Sequence, residues 1–140
     1  MIYAKCIEES QIANTDFEFQ MRQNEINHVY CIGQVTVSKD RCNNLYCVPL
    51  NLIYDCLKYG RFIAIIDEDD DSTEYPCKSS YMGLERCSSE QRVIGIMDSQ
   101  SEQTIDYIFN EVKNTILMHD GYVHTLPKNI QQYFRQKQAK

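Results

Sequence analysis

The chain has 140 residues, 43% of them hydrophobic and 24% charged, and this composition predicts one globular domain over residues 1–140 that needs no disulfide or metal ion to fold. No stretch approaches the roughly 18–20 uninterrupted apolar residues of a membrane-spanning helix, and the first residues lack the apolar run of a secretory signal, which predicts a cytoplasmic protein in a reducing compartment with no membrane partner. The net charge of −6 argues against general nucleic-acid binding, because an acidic surface repels phosphate.

The charge is unevenly distributed along the chain. Residues 1–120 carry ten basic and twenty acidic side chains, a balance of −10, whereas residues 121–140 carry four basic side chains and no acid. Lysine and arginine are favourable near the C-terminal end of a helix. We therefore predict a basic C-terminal helix or tail over residues 128–140, which is able to contact an anion locally.

The N-terminal half predicts an antiparallel β-meander. Residues 16–22 (DFEFQMR) alternate polar and apolar side chains without a break, and this period of two is typical of a half-buried strand. The β-branched and aromatic residues over 28–37 indicate a partner strand. Residues 2–7 and 45–48 predict two further short strands.

The second half combines helical and strand patterns, while residues 80–91 fit either a loop or one or two helical turns. Helices are predicted over 49–59, 101–119 and 127–136, and strands over 61–67, 92–98 and 122–126. The fold class is therefore α+β, with an N-terminal antiparallel β-meander joined to an α/β-like C-terminal half in a single domain. The predicted core consists of Phe17, Phe19, Cys31, Val35, Ile53, Leu57, Ile63, Ile65, Ile94, Ile96, Ile108, Phe109 and Val112.

Two of the predicted strands echo each other. RFIAIID, from Arg61 to Asp67, matches RVIGIMD, from Arg92 to Asp98, at four of seven positions. The simpler interpretation is that two buried strands each begin at a surface arginine and end at a surface aspartate. The functional interpretation makes the strands parallel neighbours, with Asp67 and Asp98 side by side at the C-terminal edge where ligands bind in open α/β sheets.

Asp67 begins a run of six acidic residues within eight positions. Such a run repels itself and attracts Mg²⁺ or Ca²⁺, so Asp67, Asp69 and Asp98 form a predicted metal site of a divalent-metal-dependent phosphoryl hydrolase. The run lacks the glycine and the glutamate spacing of an EF-hand loop. The competing interpretations are a solvated loop and an acidic patch, including Asp70, that a basic protein recognises.

The seven cysteines are interpreted mainly as reduced thiols, with those on apolar faces buried as small hydrophobic side chains. The alternative is a zinc-stabilised structural domain. The candidate ligand cysteines are spaced more widely than the two-residue separation that is commonest in zinc sites, and no CxxC pair exists. The candidate zinc ligands are Cys42, Cys47, Cys77, Cys87 and His28.

The sequence gives little support for an enzyme. GxSxG, GxGxxG, HExxH and P-loop motifs are all absent. Cys77, which lies beside Lys78, is the loop cysteine best placed for a catalytic thiol. His119 and His124 flank an Asp-Gly turn of ordinary chemistry, and the functional alternative is that one of them contacts a ligand phosphate or carboxylate.

Two tyrosines, Tyr75 and Tyr81, accompany the acidic run, and tyrosine offers contact area at a low entropy cost. With the small size, the acidic body and the missing motifs, they predict a non-catalytic binding or antagonist protein, similar in kind to counter-defence or immunity-type inhibitors. Its partner is either a basic protein surface or a small anionic or nucleotide ligand that the chain sequesters.

A nucleotide ligand would require several cations to converge, and homo-oligomerisation is one way to build such a pocket. No cofactor is expected. The predicted binding residues are Asp67, Asp69, Asp70, Tyr75, Tyr81, Arg61, Arg92, Asp98, His124 and Arg135.

Overall fold

The fold is seen in a computed structural model that describes residues 2–38, 45–67, 75–76, 86–112 and 126–138. The described strands are β1 (Tyr3–Ile7), β2 (Val35–Val37), β3 (Leu45–Pro49), β4 (Phe62–Ile66), β5 (Tyr75–Pro76), β6 (Arg86–Ser88) and β7 (Glu90–Asp98). The α-helices are α1 (Asp16–Arg22), α2 (Glu102–Val112) and α3 (Lys128–Gln138), and the 3₁₀ helices are η1 (Glu9–Gln11) and η2 (Leu50–Tyr59).

Within these ranges the strands form one seven-stranded sheet in the order β2-β7-β4-β1-β3-β6-β5. Each described strand pair is antiparallel. The α+β fold class is therefore confirmed, and the N-terminal strands and the C-terminal helices α2 and α3 agree with it. Among the described helices, none combines the length and the apolar character needed to cross a membrane.

The predicted strand over residues 16–22 is wrong, because this segment is the helix α1. The Thr15 hydroxyl accepts a hydrogen bond from the amide of Glu18 at 3.0 Å, and the Glu18 carboxylate accepts one from the amide of Asn14 at 3.0 Å. The first bond satisfies an amide that the first turn of a helix leaves without a partner, and the second ties the residue before the N-cap to that turn. In the helix only Phe19 turns inward, while Phe17 and Met21 are exposed.

The other predicted elements fare better, with differences at their ends. The predicted strand over 28–37 is limited to Val35–Val37, and the predicted helix over 49–59 is a 3₁₀ helix that ends before Gly60. Residues 92–98 lie in β7. The predicted strand over 122–126 lies almost entirely outside the described residues.

The sheet has one helix-covered face and one face covered by N-terminal chain. Ala4, Cys6 and Ile63 point towards the helices, where they pack with side chains of η2, α2 and α3. Tyr3, Ile7, Ala64, Ile66 and Val93 point the other way and pack with Tyr30 and Ile12. Residues 8–34, which we call the outer layer, therefore cover the second face, and they contain a small core of their own made of Ala13, Phe19, Val29 and Cys31.

The predicted core is confirmed at six fully buried positions and wrong at two. Phe17 is exposed because residues 16–22 form the helix α1 and not a strand. Ile94 is exposed because a register shift between β4 and β7 pairs Ile65 with Gly95 but Ile66 with Val93, which leaves Ile94 without an opposite residue. The buried six are Phe19, Cys31, Ile53, Ile63, Ile108 and Phe109. Partly buried are Val35, Leu57, Ile65 and Ile96, and the side chain of Val112 is outside the description.

Candidate functional site

The two echoing strands, β4 and β7, are antiparallel neighbours with Phe62 opposite Asp98. Asp98 therefore lies beside the start of β4, whereas Asp67 follows its end. The separation along the strand is five residues, or roughly 16 Å at about 3.3 Å per residue. The predicted parallel arrangement is wrong, and Asp67 and Asp98 cannot share one divalent ion with Asp69.

Instead, each aspartate meets the arginine of the other strand. The guanidinium of Arg61 donates to Asp98 through Nε–Oδ1 at 2.9 Å and Nη2–Oδ2 at 2.7 Å, and these bonds hold the pKa of the Asp98 carboxyl below its usual value. At the other end, the Asp67 amide donates to the Arg92 carbonyl at 2.9 Å. The similarity between the two sequence segments therefore reflects the pairing of β4 with β7.

The remaining predicted binding residues do not converge in the described structure. Arg61 and Arg92 lie at opposite ends of the β4–β7 pair, and Arg135 is an exposed residue of α3. These three cations therefore do not form a nucleotide pocket within the described part of a single chain. Tyr75 belongs to β5, and the residues that lie outside the description are Asp69, Asp70, Tyr81 and His124.

The strand register also opposes the zinc interpretation. Tyr46 is opposite Cys87 and Cys47 is opposite Arg86, so Cys47 and Cys87 point to opposite faces of the sheet. Cys87 is moreover disulfide-bonded, and the prediction of a reduced thiol is wrong there. The prediction is confirmed for the thiols of Cys6, Cys31, Cys47 and Cys56. Cys42 and Cys77 lie outside the described residues.

The outer layer exposes several large apolar side chains, one of which, Phe17, was predicted to lie in the core. Phe17 and Met21 are one helical turn apart on α1, so they share a face, and they are 77% and 71% exposed. Ile26 and Ile32 of the same layer are exposed too. The sequence signal that would have revealed this face is the capping pattern from Thr15 to Glu18, three residues apart.

A shallow groove runs between the outer layer and the sheet. Its volume is 370 Å³, and apolar side chains of both layers form most of its wall. Asp16, which directly precedes Phe17, and Asp98 add two carboxylates to the wall. The apolar members are Ile12, Ala13, Ile32, Phe62 and Ile96.

A second cavity opens in the middle of the sheet. β1 pairs with β3 only through Tyr3 with Pro49 and Ala4 with Val48, although β1 continues beside β4 to Ile7 and β3 begins beside β6 at Leu45. The two strands therefore diverge. Extending their register would pair Lys5 with Cys47 and Cys6 with Tyr46, and these four residues instead line a pocket of 490 Å³.

Lys5 is the charged residue of this pocket. Its ammonium donates to the Tyr30 hydroxyl at 2.6 Å and to Gln91 Oε1 at 3.1 Å, and it lies 4.7 Å from the centre of the Tyr30 ring. Burial lowers the pKa of Lys5 to about 8, and the electrostatic influence of Cys47 opposes this shift in part. Lys5 keeps partial exposure as a residue, and the two acceptors of its ammonium, Tyr30 and Gln91, are almost wholly buried.

The sequence did contain a signal for this buried cation, because Tyr3, Lys5 and Ile7 are every second residue of a short apolar strand and so share one face of it.

No protein-family model, curated protein or solved structure matches the chain. Its function is therefore inferred from its own geometry.

Proposed function

We propose that this chain is a non-catalytic binding protein of the antagonist kind, whose outer layer docks on a partner surface that carries both basic and apolar side chains. The observation that carries the proposal is the exposure of Phe17 and Met21 on one face of α1. Exposed apolar residues scattered singly are normal, whereas clustered ones indicate an interaction surface.

The exposure is concentrated in the outer layer. Four of the nine exposed large hydrophobic side chains among the described residues belong to residues 8–34, namely Phe17, Met21, Ile26 and Ile32. Ile32 lines the adjoining groove, whose wall also includes Asp16, the residue before Phe17. A partner side chain that enters this groove would bury apolar area next to Phe17, and aromatic anchors of this type contribute strongly to binding.

The charge of the outer layer indicates the chemistry of the partner. Residues 8–34 contain five acidic residues against the single base Arg22, a balance of −4. Arg22 is itself engaged by Glu18 at 3.1 Å and by Glu25 at 2.8 Å. A basic surface would therefore be attracted to this layer, and complementary charge accelerates association and selects the partner.

The same charge disfavours pairing of the layer with a second copy of the chain. In a two-fold dimer the same patch meets itself, so a balance of −4 would face a balance of −4. Repulsion between like charges across an interface opposes such a dimer. A heterologous basic partner is consequently the occupant we favour.

The test compares three immobilised proteins: the wild type, the Phe17→Ser/Met21→Ser variant, and a control variant, Tyr59→Ser/Ile94→Ser, which removes two exposed apolar side chains outside the outer layer. A genuine partner should be retained by the wild type and the control and lost from the Phe17 variant. With the purified partner, the Phe17 variant should bind at least about tenfold more weakly, in keeping with the loss of an aromatic anchor.

Ionic strength and oligomeric state complete the test. Binding to a basic partner should weaken steadily between low and high salt, because exposed charges are screened. A partner that binds the Phe17 variant as tightly as the wild type contradicts the proposal. So does a wild-type dimer in a native mass spectrum that the same substitution converts to a monomer, since the patch would then serve self-association.

A further inference from the structure

The pocket between β1 and β3 is separate from the proposed docking surface and has features of a small-molecule site. It forms where two central strands stop pairing, so residues from both faces of the sheet reach it. Its volume of 490 Å³ lies in the range of roughly 300–1,000 Å³ that is usual for ligand pockets.

The hydrogen bonds of Lys5 leave part of its donor capacity unused. A lysine ammonium has three N–H donors, and its described partners are the Tyr30 hydroxyl and Gln91 Oε1. Both are neutral acceptors. Among the described residues no carboxylate forms an ion pair with Lys5, which is unusual because buried charges are normally paired. The two described bonds leave one N–H donor of Lys5, a residue of the pocket wall, for a ligand acceptor.

The acceptors themselves are held in place. Gln91 is 1% exposed, and its Nε2 donates to the Tyr46 carbonyl at 2.9 Å, which fixes Oε1 towards Lys5. Tyr30 is also 1% exposed, and burial keeps its hydroxyl protonated by raising its pKa. Lys5 is consequently a pre-oriented donor on a rigid wall, which lowers the entropy cost of binding a ligand.

The rest of the wall is mainly apolar or aromatic. Val48, Ala4 and three thiols line its interior, and Gln11 adds an amide. Tyr46 and Tyr59 line the pocket too and are largely exposed. Such a wall suits a ligand with a flat or apolar body that stacks against tyrosine.

We propose that this pocket binds a small monoanionic carboxylate with an aromatic or apolar body, and that Lys5 holds the carboxylate group through a charge-assisted hydrogen bond. One cation fits one negative charge. A nucleotide phosphate chain would need several cations, and Arg61, Arg92 and Arg135 are not gathered around this or any other described pocket.

Proton linkage makes the proposal distinctive. The ligand requires the protonated lysine, so its affinity should fall as the pH rises through about 8, where the ammonium of Lys5 loses its proton, and bound carboxylate should raise the pKa of Lys5. Among the described residues, the titratable groups that interact with Lys5 are Tyr30 of the outer layer and Cys47 of β3, while β7 presents the neutral Gln91. The pocket wall adds the titratable side chains of Cys6, Tyr46, Cys56 and Tyr59. On the same face, Arg86 of β6 lies over the ring of Tyr3 at 4.6 Å.

Benzoate serves as the probe, with benzamide as its neutral isostere and inorganic phosphate as a second anion. Titrations of the full chain between pH 6.5 and 9.5 are followed by calorimetry and by NMR of ¹³C-labelled lysine. Benzoate should bind at least tenfold more tightly than benzamide, shift the Lys5 signal and raise its pKa. Its affinity should drop about tenfold per pH unit above the pKa of free Lys5.

Two variants and a control identify the residues responsible. Lys5→Met keeps the stem and removes the charge, and should weaken benzoate binding about tenfold to a hundredfold. Tyr59→Ser should weaken it without moving the pKa of Lys5 in the absence of benzoate. Lys128→Met removes an exposed lysine of α3 and should bind as the wild type does.

The outcomes separate clearly. Binding of benzoate that is equal in the wild type and in Lys5→Met overturns the assignment, as does a complete failure of benzoate to bind to the wild type. Binding of phosphate without benzoate overturns the carboxylate class. None of these results affects the docking proposal, which is decided by the Phe17→Ser/Met21→Ser variant of the outer layer.

Discussion

Arg61 and Asp98 meet across the antiparallel strands β4 and β7, with Nη2 of the arginine 2.7 Å from Oδ2 of the aspartate. Arg61 directly precedes β4 and Asp98 is the last residue of β7, so the antiparallel arrangement brings the basic start of β4 beside the acidic end of β7. The near-repeat in the sequence is therefore a pair of complementary strand ends. It specifies the pairing of two strands and carries no catalytic pair.

The ion pair makes part of the stability dependent on acid. Because Arg61 lowers the pKa of folded Asp98, the contribution is present above the unfolded pKa of about 3.8–3.9 and is lost as the pH falls through the folded value. Asp98→Asn should be less stable than the wild type at pH 7, and the difference should shrink at pH 3. Urea unfolding at both pH values measures it.

Arg61→Gln provides the matched control for this pair. It should reproduce the loss seen for Asp98→Asn, and the double variant should add little, because both substitutions break the same contact. Since both side chains are partly exposed, 1 M salt should reduce the effect. Two single losses that simply add would show that the contact contributes nothing to folding.

Helix α1 makes a prediction that a strand would not. In a strand, Phe17 and Phe19 would share one face and cost the same when truncated. In the helix, Phe19 is buried and Phe17 is exposed, so Phe19→Ala should cost about 3 kcal/mol, whereas Phe17→Ala should change the free energy of unfolding by no more than about 0.5 kcal/mol. Equal losses in denaturant unfolding would favour the strand.

This segment shows how far the sequence determines the fold. The alternation over residues 16–22 and the capping pattern at Thr15 and Glu18 are both present, and they predict different structures. The capping bonds are local and satisfy amides that would otherwise lack partners, whereas the alternation needs a neighbouring strand to bury its apolar face. The predicted partner segment, residues 28–37, forms a strand only over Val35–Val37 and pairs there with β7, so no described strand pairs with residues 16–22.

The strands of the second half were easier to predict, because apolar runs such as residues 61–67 are buried on both faces. Their direction was not predictable, since an apolar run reads the same in parallel and antiparallel sheets. The pocket at Lys5 could not be predicted from the sequence either. It depends on where β1 and β3 stop pairing, and that register is set by contacts far apart in the sequence.

Gly60 is required by a close approach of two chain segments. A Cβ atom at this position would overlap the carbonyl group of Ile7 and lie 2.7 Å from the amide nitrogen of Glu8. Both neighbours are backbone, which cannot move aside as a side chain can. Gly60→Ala should therefore destabilise the protein by about 2 kcal/mol, within the usual range for overpacking, as measured by urea unfolding.

Gly95→Ala is the control for Gly60, because a Cβ there would make only ordinary contacts with Ile65, the nearest at 3.9 Å. An alanine in this strand position should leave stability unchanged or raise it by up to about 1 kcal/mol, since it restricts the unfolded chain. Similar losses at both positions would mean that the approach of Gly60 to Ile7 is looser than described.

Lys5 should make stability rise with pH in the alkaline range. Burial lowers its pKa from 10.5 to about 8, so between these values the unfolded chain binds more protons than the folded one, and the free energy of unfolding increases with pH. The rise is at most about 3 kcal/mol, because one pKa unit corresponds to about 1.4 kcal/mol. Lys5→Met has no such group and should lack the rise.

Other groups titrate in the same range, so the measured quantity is the difference between the wild type and Lys5→Met. Burial raises the pKa of Cys6 to about 12, which makes its contribution fall as the pH rises from about 9 towards 12, opposite in sign to that of Lys5. This opposing contribution is common to both proteins and cancels in the difference. The stability of the wild type relative to the variant should therefore grow from pH 7.5 to 10, and a constant difference would show that Lys5 is solvated in the folded protein.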